Sequence, residues 1–194
     1  MNHNDFLYYV VNKPFGILSQ FRDRQGRKTL SDCFEIPNDV YPVGRLDLDS
    51  EGLLILTNDR KLTDFLLNPV YKHEREYYAQ VEGIPLEEEL KKLEAGVIIE
   101  KKLTLPAKVK MVDSFKVWER TPPVRERKNI PTTWVSLTLH EGRNRQVRKM
   151  TASIGHPTLR LIRVRIEKIF LGDMQPGEIR QLTEEEVSGF NINI

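Results

Sequence analysis

The sequence predicts an α+β fold: a mixed or mostly antiparallel sheet with flanking helices. Three observations lead there. Runs rich in β-branched and aromatic residues recur along the whole chain, at residues 6–11, 53–56, 75–82, 134–139 and 158–169. Helical patterns are few and short. The two kinds of segment alternate without the regular rhythm of a parallel α/β sheet.

Taken in order, residues 6–11 read as a strand that stops at the turn residues Asn12, Lys13 and Pro14. A short helix around residues 29–34 follows. A polar loop between Gly44 and Gly52 precedes Leu53, Leu54, Ile55 and Leu56, an unbroken apolar run expected of a strand buried on both faces. Residues 61–67 are helical and end before Asn68 and Pro69. Residues 75–82 alternate as a strand closed by Gly83, and residues 86–93 form a charged amphipathic helix. Further strands fall at 97–99, 107–112 and 134–139, with a proline- and arginine-rich surface loop over 119–131. Asn144 is the expected N-cap of a helix whose Val147, Met150 and Ile154 share one face, stopped by Gly155 and Pro157. A strand over 158–169 and a last helix over 184–187 complete the chain.

A length of 194 residues with 39% hydrophobic composition supports one sizeable core, and a single catalytic domain over residues 1–194 is expected. The 30 basic and 28 acidic residues leave a net charge of +2, so any nucleic-acid affinity must come from local clusters. Cys33 is the one cysteine, which excludes an internal disulfide and a multi-cysteine zinc site. No apolar run approaches the ~18 residues of a membrane span, and the amino terminus lacks a signal-like pattern. These features point to a soluble cytoplasmic protein without a membrane partner. The four histidines lack metal-ligand spacing and no nucleotide-binding or nucleophile-elbow motif occurs, so neither metal nor cofactor is implied.

The densest candidate for chemistry is the loop carrying Arg45, Asp47, Asp49 and Glu51. Its spacing fits a solvated turn, and it equally fits Asp47 as a nucleophile or base kept ionised by a neighbouring arginine. Arg145, Arg148 and Lys149 form a basic stripe at i, i+3, i+4, which suits a solvated face or a phosphate-binding one. Three more basic groups favour a single basic surface: Arg120, Arg125, Arg127 and Lys128; Arg160, Arg163 and Arg165; and Arg22, Arg24, Arg27 and Lys28. Tyr77 and Tyr78 must face opposite sides of their strand, so one of them can line a cleft and stack on a base.

Several motifs together resemble the RsuA-type pseudouridine synthases across nearly the whole chain: VNKPFGILSQF at 11–21, VGRLDLDSEGLLILTND at 43–59, REYYAQVEG at 75–83, PPVRERKNIPTTW at 122–134 and EGRNRQVRKMTASIGHPTLRLIR at 141–163. The resemblance implies a two-lobed α+β catalytic fold around an RNA cleft, working without a cofactor; a monomer is expected. It implies that Asp47 of GRLD is the catalytic aspartate, that Arg148 of RQVR pairs with it, and that Tyr77 packs on the target base. Arg45 resembles the residue that displaces the target nucleotide from its stack. Arg143, Arg145, Lys149, Arg125, Arg127, Lys128, Arg160 and Arg163 remain as RNA-contacting candidates.

The chain departs from the family in three places. Many members begin with an S4 RNA-binding domain, whereas here the first catalytic strand starts almost at once. Arg75 stands where lysine is common and Lys149 where a second arginine is common, which forfeits bidentate geometry at 149. Ser50-Glu51-Gly52 after the aspartate resembles the RsuA branch and implies a ribosomal RNA substrate rather than a transfer RNA; the expected substrate is a uridine of large-subunit ribosomal RNA. The competing expectations are a noncatalytic RNA-binding or ribosome-assembly protein and a base-releasing glycosidase.

Overall fold

The computed structural model describes residues 6–113, 115–124 and 129–190. In chain order its elements are β1 (Tyr8–Lys13), β2 (Tyr41–Pro42), β3 (Glu51–Thr57), α1 (Arg60–Leu67), β4 (Arg75–Glu82), α2 (Glu87–Ala95), β5 (Ile98–Ile99) and β6 (Lys102–Leu103), then β7 (Lys108–Met111), β8 (Thr132–Leu139), α3 (Gln146–Ser153), β9 (Thr158–Ile166), β10 (Ile169–Phe170), β11 (Ile179–Gln181) and α4 (Glu184–Ser188). One sheet runs β11-β1-β3-β9-β4-β8-β7, with β2 added to β3 and β10 to β9, while β5 and β6 pair separately. Among the described pairings β3–β9 alone is parallel, and it consists of Glu51 opposite Ile162 and Gly52 opposite Arg163. The predicted α+β class with a mixed, mostly antiparallel sheet is what forms.

The sheet's position follows from β3. All seven of its residues are buried, because the apolar run leaves no face for water. Period-two alternation sends Leu53 and Ile55 into a core with Val10, Leu62, Leu66, Ile162 and Ile166. It sends Leu54 and Leu56 into another, with Val11, Leu30 and Phe34. A third core lies under the other half of the sheet, where Val147 and Met150 of α3 pack on Leu137 and Leu161. Helix α1 starts where Asp59 accepts the backbone N–H groups of Lys61 and Leu62, and so presents Leu62 and Leu66 inward.

Among the described residues, the strand pairing that joins the two halves of the sheet is the short β3–β9 contact. There Glu51, with a side chain 1% exposed, accepts 2.7 Å bonds from Nε and Nη2 of Arg160, and a third, of 2.8 Å, from Trp118 Nε1. The remaining Arg160 nitrogen donates to the Trp118 carbonyl. Gly52 has a φ of +102°, and a Cβ there would lie 2.3 Å from the Arg163 carbonyl oxygen. Only glycine permits the two backbones to approach so closely.

Four details depart from the expectations. Strand β1 continues through Asn12 and Lys13, because both are buried with partners: Asn12 bonds Glu178 and Gly177 through its backbone, and Lys13 Nζ donates to the carbonyls of Pro14 and Ile17. Asn144 is not the N-cap of α3. Arg145 occupies that position in a left-handed conformation, without a side-chain cap. The strand expected over 158–169 is a hairpin of β9 and β10, turned at Glu167, whose φ is +48°. The strands β2, β6, β10 and β11 have two or three residues each, too few to show a periodicity. Most of the predicted 119–131 loop is irregular in the residues described, and Arg125, Arg127 and Lys128 lie outside them.

Replacing Gly52 with alanine adds left-handed strain to a backbone clash, each worth about 1–3 kcal/mol. Urea denaturation of Gly52→Ala is expected to show a loss of about 2–6 kcal/mol.

Candidate active site

The loop ahead of β3 is built before the arginines reach it. Gly44 turns the chain at a φ of +74°. The turn after β1 then braces the loop: Gly16 N–H donates to the Leu48 carbonyl at 2.8 Å, and Ser19 Oγ both accepts from Leu46 N–H and donates to the Leu46 carbonyl. That turn is held in place by the buried Lys13 amine. Desolvation pulls the Lys13 pKa down to about 8, although Glu51 and Asp49 nearby oppose the shift. Ser50 N–H closes the loop on the Asp47 carbonyl at 3.0 Å.

From the far half of the sheet, α3 brings the cations. Arg145 grips Asp49 with two parallel bonds of 2.8 and 2.7 Å, and its Nη1 also lies 3.5 Å from Asp47 Oδ2. Arg148 donates to the Asp49 carbonyl at 2.7 Å and to the Thr158 carbonyl at 3.1 Å, with the Asp49 carboxylate 3.4 Å away. The expected Asp47–Arg148 pair therefore does not form: among the described residues the ion-pair partner of Asp47 is Arg145. Arg148 stands behind the loop, because its position one turn into α3 faces the Asp49 backbone rather than the cleft. The Arg145 guanidinium beside Asp49 holds that carboxyl below the usual aspartate range.

Asp47 opens onto a pocket of about 810 Å³ at the junction of the two halves, lined also by Arg45, Tyr77, Arg143, Arg145 and Arg163. That volume lies within the ~300–1,000 Å³ usual for ligand sites. Tyr77 reaches the pocket through a β-bulge, where the β4–β9 register jumps from Glu76–Arg165 to Tyr77–Arg163. Tyr78 faces the other way, edge-on to Phe115 with centroids 4.7 Å apart. Arg143 is fixed by Glu141 and by the carbonyls of Lys102 and Leu103.

The other proposed RNA contacts fare differently. Arg160 is 4% exposed and fully engaged by Glu51 and Trp118, so it cannot serve a phosphate. Arg163 is equally buried, with Nε on the Leu53 carbonyl, and belongs to the pocket wall rather than to an outer basic surface. Arg165 pairs with Glu74 and Glu76. Lys149 bonds Glu100 and the Asn144 carbonyl, away from the pocket. The arginines after α3 are thus internal fasteners. Sequence reasoning passed over Asp49, Ser19, Lys13 and Trp118 as structural partners of the site; a lysine at the end of an apolar strand was the one available signal.

A carboxylate set among guanidinium groups, with a tyrosine facing it across a sheet-floored pocket, is the equipment of an enzyme for a phosphate-bearing substrate. Residues 7–153 match the RNA pseudouridylate synthase family, and the chain belongs to it. It is 54% identical over 173 residues to ribosomal large subunit pseudouridine synthase E of Vibrio parahaemolyticus, covering 89% of this chain and 72% of that one. The protein of the same name from Xanthomonas axonopodis is 51% identical, with 81% and 84% covered. A solved pseudouridylate synthase crystal structure superposes with a TM-score of 0.81 at 27% identity, over 96% of this chain and 74% of that one. No helix among the described residues is long and apolar enough to cross a membrane.

An aspartate whose folded pKa is depressed stabilises the fold above the unfolded value of ~3.9, and that contribution disappears as pH falls through the folded value. Asp49→Asn is therefore expected to melt below the wild type at pH 7. The difference in Tm should shrink as the pH is lowered from about 4. A pH-independent difference in thermal scans would contradict the Arg145–Asp49 assignment.

Proposed function

We propose that this pseudouridine synthase isomerises a uridine of large-subunit ribosomal RNA, with Asp47 as the catalytic carboxylate. The observation that carries the reading is the position of Asp47: on a braced loop, 3.5 Å from Arg145, with its side chain 38% exposed to the pocket. Such a group sits beside a cation and is accessible to a ligand. The names of the relatives from Vibrio and Xanthomonas support the large-subunit substrate.

The reaction breaks the bond from uracil N1 to ribose C1′ and forms one from C5 to C1′. The C5 proton leaves to solvent and N1 gains a proton. An ionised Asp47 serves cleavage either by adding to C1′ or by taking the C2′ proton. Tyr77 offers its ring to the uracil face, keeping the freed base beside the ribose so that it can rotate and rejoin. The target must be everted to reach the pocket, because a stacked uridine hides its glycosidic bond. Arg45, exposed at the mouth of the pocket with one 3.4 Å contact to Gln20, is free to help displace the base from its stack.

Large-subunit RNA carrying tritium at uridine C5 is expected to release tritium with the wild-type protein. Asp47→Asn should lower the rate by at least about a hundredfold. Because the carboxylate is partly exposed and loosely paired, the variant should unfold within about 0.5 kcal/mol of the wild type. An Asn variant that turns over at the wild-type rate would overturn the assignment, and recovery of free uracil would replace isomerisation by glycosidic cleavage.

A further inference from the structure

A second cavity adjoins the first. This groove, of about 1320 Å³, shares Ser19, Gly44, Arg45 and Leu67 with the Asp47 pocket, so the two have a common wall. Its floor is apolar, with Phe34 and Val40 buried in the core beneath β3. On its rim Tyr41 is 60% exposed and Leu67 is 47% exposed. Tyr41 sits on the two-residue strand β2, pairing with Thr57, so its ring projects from rigid backbone. Arg22 lines the groove at one end, and Arg45 stands on the shared wall. Although Glu35 also lines the groove, its two cations, exposed aromatic ring and apolar floor match a nucleotide, whose phosphate meets the cations and whose base meets the ring.

We propose that this groove holds the nucleotide adjacent to the target uridine in the same RNA strand, with its base stacked on Tyr41 and the intervening phosphate at Arg45. The inference rests on the proposed RNA substrate. Continuity commits the groove to this occupant: once the target is everted into the Asp47 pocket, its neighbour must cross the wall at Arg45. The apolar floor also favours a base over a bare phosphate. Sharing of the wall makes the reader of the neighbouring base and the reader of the target one mechanical unit.

The test is an NMR titration of the full-length protein with uridine 5′-monophosphate and with the dinucleotide UpU. UpU is expected to bind roughly tenfold tighter than the mononucleotide and to shift Tyr41 resonances, Tyr41→Ala to reduce that gain below about twofold, and Tyr41→Trp to keep it. Equal affinity for the two ligands, or a gain that survives Tyr41→Ala, overturns the proposal. Tritium release measured on the same preparations separates the two readings. Release without the dinucleotide gain removes the groove alone, and the gain without release removes the catalytic assignment alone.

Discussion

The two-residue parallel contact between β3 and β9 is the constraint on which the rest of the structure depends. Every other described pairing within that sheet lies in one half or the other. A contact so short supplies few backbone bonds, and side chains complete the joint. Glu51 and Arg160 cross it with two bonds, Arg163 crosses it to the Leu53 carbonyl, and Arg148 spans from Asp49 to Thr158. A buried ion pair gains little over well-packed apolar residues, yet separating one leaves an uncompensated charge worth about 3–5 kcal/mol. Any slip of β3 against β9 would separate Glu51 from Arg160. The pair thereby excludes the wrong registers, and Gly52 allows the right one.

The same joint decides where chemistry can occur. The Asp47 loop leaves the seam directly ahead of Glu51, and α3 approaches it from the opposite half, so carboxylate and guanidinium meet because the halves meet. Asp49 then takes the larger share of the positive charge. It binds Arg145 bidentately and lies beside Arg148, whereas Asp47 keeps one contact at 3.5 Å. This division has a chemical consequence. A carboxylate locked in two short bonds is a poor nucleophile, while one left near a cation but unclamped keeps its oxygens open to the pocket.

How much of this was legible in the sequence varies with what each residue needs to reveal itself. The long strands β3, β4 and β8 carry enough residues for alternation or an apolar run to show, and both ends of β4 fall where the alternation places them. The two-residue strands exist because neighbouring strands recruit them, which leaves no local trace. Charge was visible and partnership was not: Arg160 reads as a surface cation until Glu51, 109 residues away, arrives beside it. Asn144 has the chemistry of a cap, but the left-handed turn at Arg145 shifts the helix start by one residue and uses that residue to reach Asp49. The resemblance identified the loop and the helix of the site. Which carboxylate met which arginine was set by the turn geometry of both.

These internal pairings also account for a nearly neutral protein in a family that acts on RNA. Arg145, Arg148, Arg160 and Arg165 each face an acidic residue within the fold, so cations that cluster in sequence do not make a basic surface in space. Every phosphate left without a cation beside it flattens the dependence of affinity on salt by a slope of about 0.7 for a single strand. Recognition then draws on the shape of a cleft and on stacking as well as on charge. Among the cations that stay available, Arg45 at the pocket mouth and Arg22 in the adjoining groove flank the place where an everted strand would have to pass. Charge placed there favours a strand distorted at the target over a regular helix, which joins selection of the target to the geometry required to modify it.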